Sequence, residues 1–255
     1  EDSPLLCIEA CQEPNLVQRV GELKSSTPES IKEEYSDVFE NNFLGCLPVK
    51  HTIRLKEDAK PVIHAPRKVP VALRADVKQE LDRMKKLGVI ESIEEPTEWL
   101  SSMVAITKPN KTRICLDPRD LNSSIQREHY PMPTIEEVTS RLPNAAVFST
   151  LDATSGYWQI PVDEKSSKLL AFNSPFGRFC FKRLPFGISS ASEVFQRTMN
   201  DLFGDINGCE IIVDDILVWG RNEEEHNQRL LEVLERARKV GLKLKWGKCR
   251  FKVTE

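Results

Sequence analysis

The chain has 255 residues, of which 40% are hydrophobic and 29% are charged, and its formal net charge is −3. This length can bury a sizeable core, in one large domain or in two lobes. The acidic N-terminus and the lack of an apolar stretch long enough to cross a bilayer exclude a secretory signal and a membrane partner from our predictions. Seven scattered cysteines, an odd number, favour reduced thiols inside a cell.

The near-neutral balance conceals an uneven distribution of charge. Residues 1–50 carry 4 basic and 10 acidic side chains, residues 51–127 carry 15 and 11, and residues 241–255 carry 5 and 1. Basic segments on either side of an acidic centre would suit a phosphate backbone. For any single lysine, a solvated charged surface remains the simpler interpretation.

The pattern of apolar residues predicts an α+β chain. Helices are predicted, in chain order, over residues 28–39, from about 77 to 87, from 134 to about 142, from 190 onward, and from 223 to 240. Thr134 and Ser190 each begin a capping-box pattern with a glutamate three residues later, and Gly241 is predicted to end the last helix. Strands are predicted over residues 146–152, 157–162, 169–173, 178–183 and 210–219. Residues 1–44 are predicted to be an acidic N-terminal linker.

Two adjacent carboxylates, Asp214 and Asp215, lie between the apolar segments 211–213 and 216–219. Both segments have the composition of buried strands, so the pair is predicted at a tight hairpin. Adjacent ionised groups repel each other and are costly to place beside a core, which favours a neighbouring cation. An ordinary Asp-Asp turn is the alternative interpretation.

A third carboxylate, Asp152, follows another apolar, strand-like segment, residues 146–151. Two metal ions about 4 Å apart, bridged by aspartates, can activate a 3′-hydroxyl and stabilise a leaving pyrophosphate. Mg²⁺ takes oxygen ligands and is commonly bound by one or two carboxylates together with substrate phosphates. The three aspartates therefore favour metal-assisted nucleotidyl transfer.

Motifs along the chain, in the right order, resemble those of reverse transcriptases. The Asp152 segment is similar to motif A, residues 176–196 are similar to motif B, and Ile212-Val-Asp-Asp215 is similar to the Tyr-x-Asp-Asp of motif C. Residues 102–108 and 113–122 resemble the fingers motifs, and residues 241–244 and 248–251 resemble the last palm motifs. The sequences of these motifs resemble those of the pol polyprotein of gypsy-type LTR retrotransposons, and the resemblance covers residues 45–255.

The resemblance implies a right-hand polymerase with a palm built on an antiparallel, ferredoxin-like sheet that is backed by helices. The fingers would comprise residues 51–130 and part of 163–185, and the palm residues 131–162 and 186–255. We expect no thumb and no RNase H domain within this chain. The implied cellular site is a cytoplasmic particle or the nucleus.

The resemblance also implies site residues and partners. The catalytic residues would be Asp152, Asp214 and Asp215, which with the Ala153 carbonyl would bind two Mg²⁺ ions, with Mn²⁺ as a substitute. Deoxynucleotide binding would involve Lys108, Arg113, Tyr157, Phe186 and Gly187, with Tyr157 as the sugar gate that rejects a 2′-hydroxyl. Contacts to an RNA or DNA template-primer would involve Asp117, Arg119, Asn122, Gln196, Arg197 and Lys248. Protease, RNase H and integrase domains of the polyprotein would be further partners.

Each of these roles has a plainer alternative, such as a core tyrosine for Tyr157 or a structural hydrogen-bond cluster for Asp117, Arg119 and Asn122. The sequence also departs from the family pattern. Ile212 replaces the motif C tyrosine, the turn after Lys108 is one residue shorter and lacks a glycine, and Ser192 stands where proline is common. A decayed or domesticated copy that binds nucleic acid without polymerising is one alternative function. Another palm polymerase is a second, although Tyr157 disfavours a ribonucleotide enzyme.

Overall fold

The computed structural model describes residues 27–40, 43–108, 111–142 and 144–254. The described helices are α1 (Pro28–Glu34), α2 (Ser36–Phe39), α3 (Arg74–Lys86), α4 (Arg119–Ser124), α5 (Ile135–Ser140), α6 (Glu164–Leu169), α7 (Ala191–Phe203) and α8 (Glu223–Val240). The strands are β1 (Ile90–Ser92), β2 (Ser101–Lys108), β3 (Lys111–Asp117), β4 (Val147–Asp152), β5 (Ala171–Ser174), β6 (Gly177–Phe181), β7 (Cys209–Ile212), β8 (Asp215–Gly220) and β9 (Arg250–Val253).

The strands form two sheets. The first has the order β1-β6-β5-β2-β3, with β2 antiparallel to β3 and parallel to β5, and helix α3 packs against β3 and β1. The second has the order β7-β8-β4-β9, all antiparallel, with α7 packed on β7 and α8 on β8 and β4. The predicted α+β fold, with an antiparallel sheet backed by helices, is confirmed. Of the helices described, none has both the length and the apolar character needed to cross a bilayer.

Part of the predicted N-terminal linker belongs to the main core. Ile31 on α1, Phe39 on α2 and Tyr35 between the two helices are buried in the same cluster as residues from both sheets. The Tyr35 hydroxyl donates to Glu235 on α8 over 2.9 Å. The linker interpretation is therefore wrong for residues 28–39, because apolar side chains at helical spacing bury their face against α8. Residues 1–26 lie outside the described residues.

Two local predictions are wrong. Residues 157–162 were predicted as a strand, but Gly156–Gln159 is a 3₁₀ helix whose Trp158 and Gln159 are buried. A short run of large side chains has the composition of a strand whichever backbone it adopts, so its pattern misleads. Ser190 precedes α7 without a side-chain cap, since its backbone is not in the extended conformation of an N-cap, and Glu193 pairs with Arg127. The capping box at Thr134 and the end of α8 at Gly241 are confirmed.

A buried histidine should make stability depend on pH. His226, 0% exposed, lies 2.9 Å from the Ser149 hydroxyl, and burial lowers its pKa below the ordinary 6.5, while nearby Lys252 and Arg229 lower it and Glu223 raises it. With the folded-state pKa below the unfolded value, this contribution is fully present above about pH 6.5 and is lost as the pH falls towards the folded pKa.

We expect the free energy of unfolding to fall below pH 6.5 by up to about 1.4 kcal/mol per pH unit from this one group. The His226→Gln variant should lack that part of the slope in urea unfolding between pH 7.5 and 5.5. The exposed His129 provides the control, because His129→Asn should keep the wild-type slope. Equal slopes in wild type and His226→Gln would contradict the assignment.

Candidate active site

The acidic pair lies at a two-residue hairpin turn, as predicted. Ile212 pairs with Asp215 at the end of the β7–β8 ladder, which leaves Val213 and Asp214 as the turn. Val213 has a φ of 53°, a left-handed conformation that a β-branched residue rarely adopts and that costs about 1–3 kcal/mol. The hairpin therefore projects Asp214 at the expense of local backbone strain.

The third carboxylate is beside this hairpin. Asp152, the last residue of β4, is the cross-strand partner of Asp215, and the Ala153 N–H donates to the Asp214 carbonyl over 3.1 Å. The Lys248 ammonium lies 2.5 Å from Oδ2 of Asp152. The sheet register thus brings together the three aspartates and Lys248.

The electrostatics of the three aspartates are unfavourable without further positive charge. Burial raises the pKa of Asp214, and the charges of Asp152 and Asp215 raise it further, while Lys248 lowers it. The pKa of Asp215 is raised for the same reasons, first by burial and then by Asp152. One lysine therefore offsets only part of the repulsion.

The donor set fits a hard divalent cation. Oδ1 of Asp214 is buried and has no hydrogen-bond partner among the described residues. A Cβ on Gly156 would lie 3.2 Å from that oxygen, so only glycine leaves space beside it. Within the described ranges, no three His, Cys, Asp or Glu side chains already surround a common metal position. Carboxylate oxygens with free lone pairs are the ligands that Mg²⁺ prefers.

An aromatic cluster adjoins the aspartates. The Tyr157 ring packs 4.9 Å from Phe186 and 5.5 Å from Phe195, measured between ring centroids. Its hydroxyl lies 2.9 Å from the hydroxyl of Ser192, the residue that replaces proline in the family pattern. The ring of Tyr157, the predicted gate, is therefore half-buried and is held by two aromatic contacts and by the contact of its hydroxyl.

The loop that carries Phe186 and Gly187 is anchored to the fingers. Asn122 donates from Nδ2 to the Gly187 carbonyl over 2.8 Å and accepts from the Ser189 N–H at Oδ1 over 2.9 Å. Gly187 has a φ of 103°, and a Cβ there would lie 2.6 Å from the Leu116 carbonyl oxygen. Both ends of the Asn122 amide therefore bind the backbone of this loop, and its predicted template contact stays a prediction.

The other predicted template residues are paired within the protein. Asp117 accepts from Arg67 and, over 3.2 Å, from Arg119. Arg197 pairs with Glu128 and remains half exposed. For Asp117 and Arg119 the alternative interpretation, a structural cluster, describes these contacts better, whereas Lys248 lies at the aspartates themselves.

The prediction for Gln196 is wrong. Its side chain is 0% exposed, Nε2 donates to the Ile211 carbonyl over 2.9 Å, and Oε1 accepts from the Val213 N–H over 2.7 Å. A signal existed in the sequence, since position 196 shares a helical face with the apolar Met199 and Phe203. Gln196 therefore contacts the β7–β8 hairpin, away from solvent.

The predicted triphosphate residues lie on the β2–β3 hairpin. Lys108 pairs with Lys111 at its end, and Arg113, which is exposed, pairs with Ile106. The shortened turn at residues 109–110 lies outside the described residues. The structure places Lys108 and Arg113 on one hairpin of the fingers sheet, and their role stays a prediction.

This two-sheet fold, with three aspartates at the ends of the two central strands of the antiparallel sheet, is the fold of the fingers and palm of right-hand polymerases. Solved structures have this fold: the foamy viral protease-reverse transcriptase in complex with RNA/DNA hybrid matches with a TM-score of 0.79 at 21% identity, over 89% of this chain and 32% of that chain. The sequence profile described as "Reverse transcriptase (RNA-dependent DNA polymerase)" matches residues 100–255. The chain belongs to the reverse transcriptase family.

Several curated relatives are retrotransposon Pol polyproteins. The Pol polyprotein from transposon 412 of Drosophila melanogaster is 31% identical over 90% of this chain and 19% of its own length. The Pol polyprotein from transposon gypsy of the same organism is 29% identical over 88% of this chain and 23% of its own length. The chain thus spans about a fifth of these relatives, and the resemblance to gypsy-type pol polyproteins is confirmed.

Proposed function

We propose that this chain carries the polymerase active site of an RNA-directed DNA polymerase, which transfers deoxynucleotides onto a primer 3′-hydroxyl. The observation that carries the proposal is the convergence of Asp152, Asp214 and Asp215 at one sheet edge, with an unpartnered Asp214 oxygen. Burial and neighbouring carboxylates raise the pKa of Asp214 and Asp215, so the site is suited to binding cations and poorly suited to an ordinary turn.

Asp152, Asp214, Asp215 and the Ala153 carbonyl would bind two Mg²⁺ or Mn²⁺ ions. When bound, such a pair lowers the pKa of the attacking hydroxyl and stabilises charge on the leaving pyrophosphate. Lys248 supplies an ammonium beside Asp152, where it can contact a phosphate once cations take over its charge pairing. Tyr157 and Phe186 would pack against the sugar and the nascent base pair.

The proposed substrates follow from the family. Lys108 and Arg113 would bind the deoxynucleoside triphosphate, because an ammonium and a planar guanidinium suit phosphate oxygens. The foamy viral relative binds an RNA/DNA hybrid, and we propose a template-primer of this kind here. Other domains of a Pol polyprotein are proposed partners, in a cytoplasmic particle or in the nucleus.

Primer extension on an RNA template tests the function. This chain and the longest natural reading frame that contains it should add deoxynucleotides in Mg²⁺, and both should stop when EDTA removes the metal. A filter-binding assay with the same template-primer runs in parallel. Binding without extension by both proteins would contradict the proposal and support the alternative of a decayed, nucleic-acid-binding copy.

A further inference from the structure

The side chain of Gln196 is joined to the catalytic hairpin at both ends of its amide. Nε2 donates to the Ile211 carbonyl over 2.9 Å, and Oε1 accepts from the Val213 N–H over 2.7 Å. These two backbone groups lie on either side of Ile212, immediately before Asp214. Gln196 is fully buried, so water does not compete for either bond.

The turn sequence does not favour the turn that forms. A two-residue hairpin turn with a positive φ at its first central residue alone prefers glycine there, whereas this turn is Val213-Asp214. The φ of 53° at Val213 is therefore opposed by its own side chain. Some tertiary interaction must stabilise this conformation, and the hydrogen bond from the Val213 N–H to Gln196 acts directly on the strained residue.

Gln196 is itself supported from the connector between the two sheets, residues 127–130. Asn200 Oδ1 lies 3.2 Å from Gln196 Nε2, and Asn200 Nδ2 donates to the Tyr130 hydroxyl over 2.9 Å. The same connector pairs Arg127 with Glu193 and Glu128 with Arg197. Positions 193, 197 and 200 follow one face of α7, so the connector fixes the helix along almost its whole length.

We propose that Gln196 is a positioning residue of the polymerase reaction, which maintains the left-handed turn at Val213 and so directs the Asp214 carboxylate towards Asp152. This inference rests on the proposed function. Gln196 does not contact a substrate in this arrangement. Its contribution is to select one conformation of the turn, and Asn200 and Tyr130 restrict the amide to the orientation that makes both bonds.

Hydrogen exchange, followed by NMR on the metal-free chain, tests the bond without measuring activity. Gln196→Met keeps the side-chain volume but removes both hydrogen bonds, so the Val213 amide should exchange at least about tenfold faster. Amides of the β2–β3 ladder should exchange as in wild type. Gln79→Met, at an exposed position on α3, is the matched control. Unchanged exchange at Val213 in the Gln196→Met variant would overturn the proposal.

Steady-state primer extension then separates positioning from general packing. In Gln196→Met we expect kcat to fall about 100-fold, while the Kd for template-primer changes less than twofold. Because glycine adopts a positive φ without strain, adding Val213→Gly should restore kcat at least about tenfold. A loss of kcat that Val213→Gly does not restore would assign Gln196 to packing alone and would overturn the proposal.

Two further comparisons cover the cases in which the Gln196→Met variant does not fold or the proposed function fails. If circular dichroism shows that Gln196→Met does not fold, Asn200→Ala replaces it and should speed Val213 exchange by a few-fold; no change would overturn the proposal. If neither the wild-type chain nor the longer reading frame extends primers in Mg²⁺, the proposed function fails. Exchange at Val213 still decides in that case whether Gln196 maintains the turn.

Discussion

Asp214→Asn should reduce Mg²⁺-dependent primer extension by at least about 1,000-fold, which corresponds to about 4 kcal/mol of transition-state stabilisation. The amide keeps the size of the side chain but removes the negative charge that, in the proposed function, binds the cation. Oδ1 of Asp214 is the buried, unpartnered oxygen of the site, so few other contacts are lost with the charge. The measurement is single-nucleotide extension at saturating deoxynucleotide.

The same change should increase the stability of the metal-free protein. Burial and the charges of Asp152 and Asp215 raise the pKa of Asp214, so its ionised form is disfavoured in the folded state. Removing that charge relieves repulsion, and we expect the free energy of unfolding at pH 7 to rise by about 1 kcal/mol. A site residue whose loss stabilises the fold is one that was selected for chemistry.

Asp82→Asn is the matched control, because Asp82 is exposed on α3. It should leave both extension and stability within experimental error of wild type. Undiminished extension by Asp214→Asn would refute the metal assignment. A large drop in stability would show instead that the carboxylate has a structural role.

Tyr157→Ala should admit ribonucleotides, lowering the preference for deoxynucleotides over ribonucleotides by about 100-fold, or about 2.7 kcal/mol. The ring is fixed by Phe186, Phe195 and the Ser192 hydroxyl, so it cannot move aside for a 2′-hydroxyl without losing these contacts. Alanine leaves space where the ring stood. The measurement is the ratio of kcat/KM for matched deoxy- and ribonucleotides.

Tyr157→Phe separates the ring from its hydrogen bond. It keeps the aromatic surface and removes only the contact with Ser192, so the preference should stay within a few-fold of wild type. An unchanged preference in Tyr157→Ala would refute the gate. Equal losses in the alanine and phenylalanine variants would assign selectivity to the hydroxyl and to Ser192.

The elements that were predicted well share a local cause. Helix α8 was predicted from apolar spacing and a terminal glycine, and the β7–β8 hairpin from two apolar segments around an acidic pair. These signals lie within the element that they describe. The segment 157–162 failed because a short apolar run does not distinguish a strand from a buried 3₁₀ turn.

Roles that depend on polar partners were predicted less well. Gln196 and Asn122 are predicted to contact a template because their segments resemble motif B and a fingers motif of reverse transcriptases. The structure pairs Gln196 with a residue 17 positions away and Asn122 with one 65 positions away. Nothing in the sequence around Gln196 or Asn122 specifies which distant backbone carbonyl or N–H group the side chain binds.

The sequence by itself determined the family, the α+β class and the identity of the three aspartates, because ordered motifs and apolar periodicity are written in consecutive residues. Only the tertiary structure decided how these parts cooperate. Lys248 contacts Asp152, which lies 96 positions earlier in the chain, and residues 28–39 pack into the core. The buried amide of Gln196 binds the backbone N–H of the strained Val213. The physical reason is that burial and hydrogen-bond partners are set by contacts between distant segments, which form only when the whole core assembles.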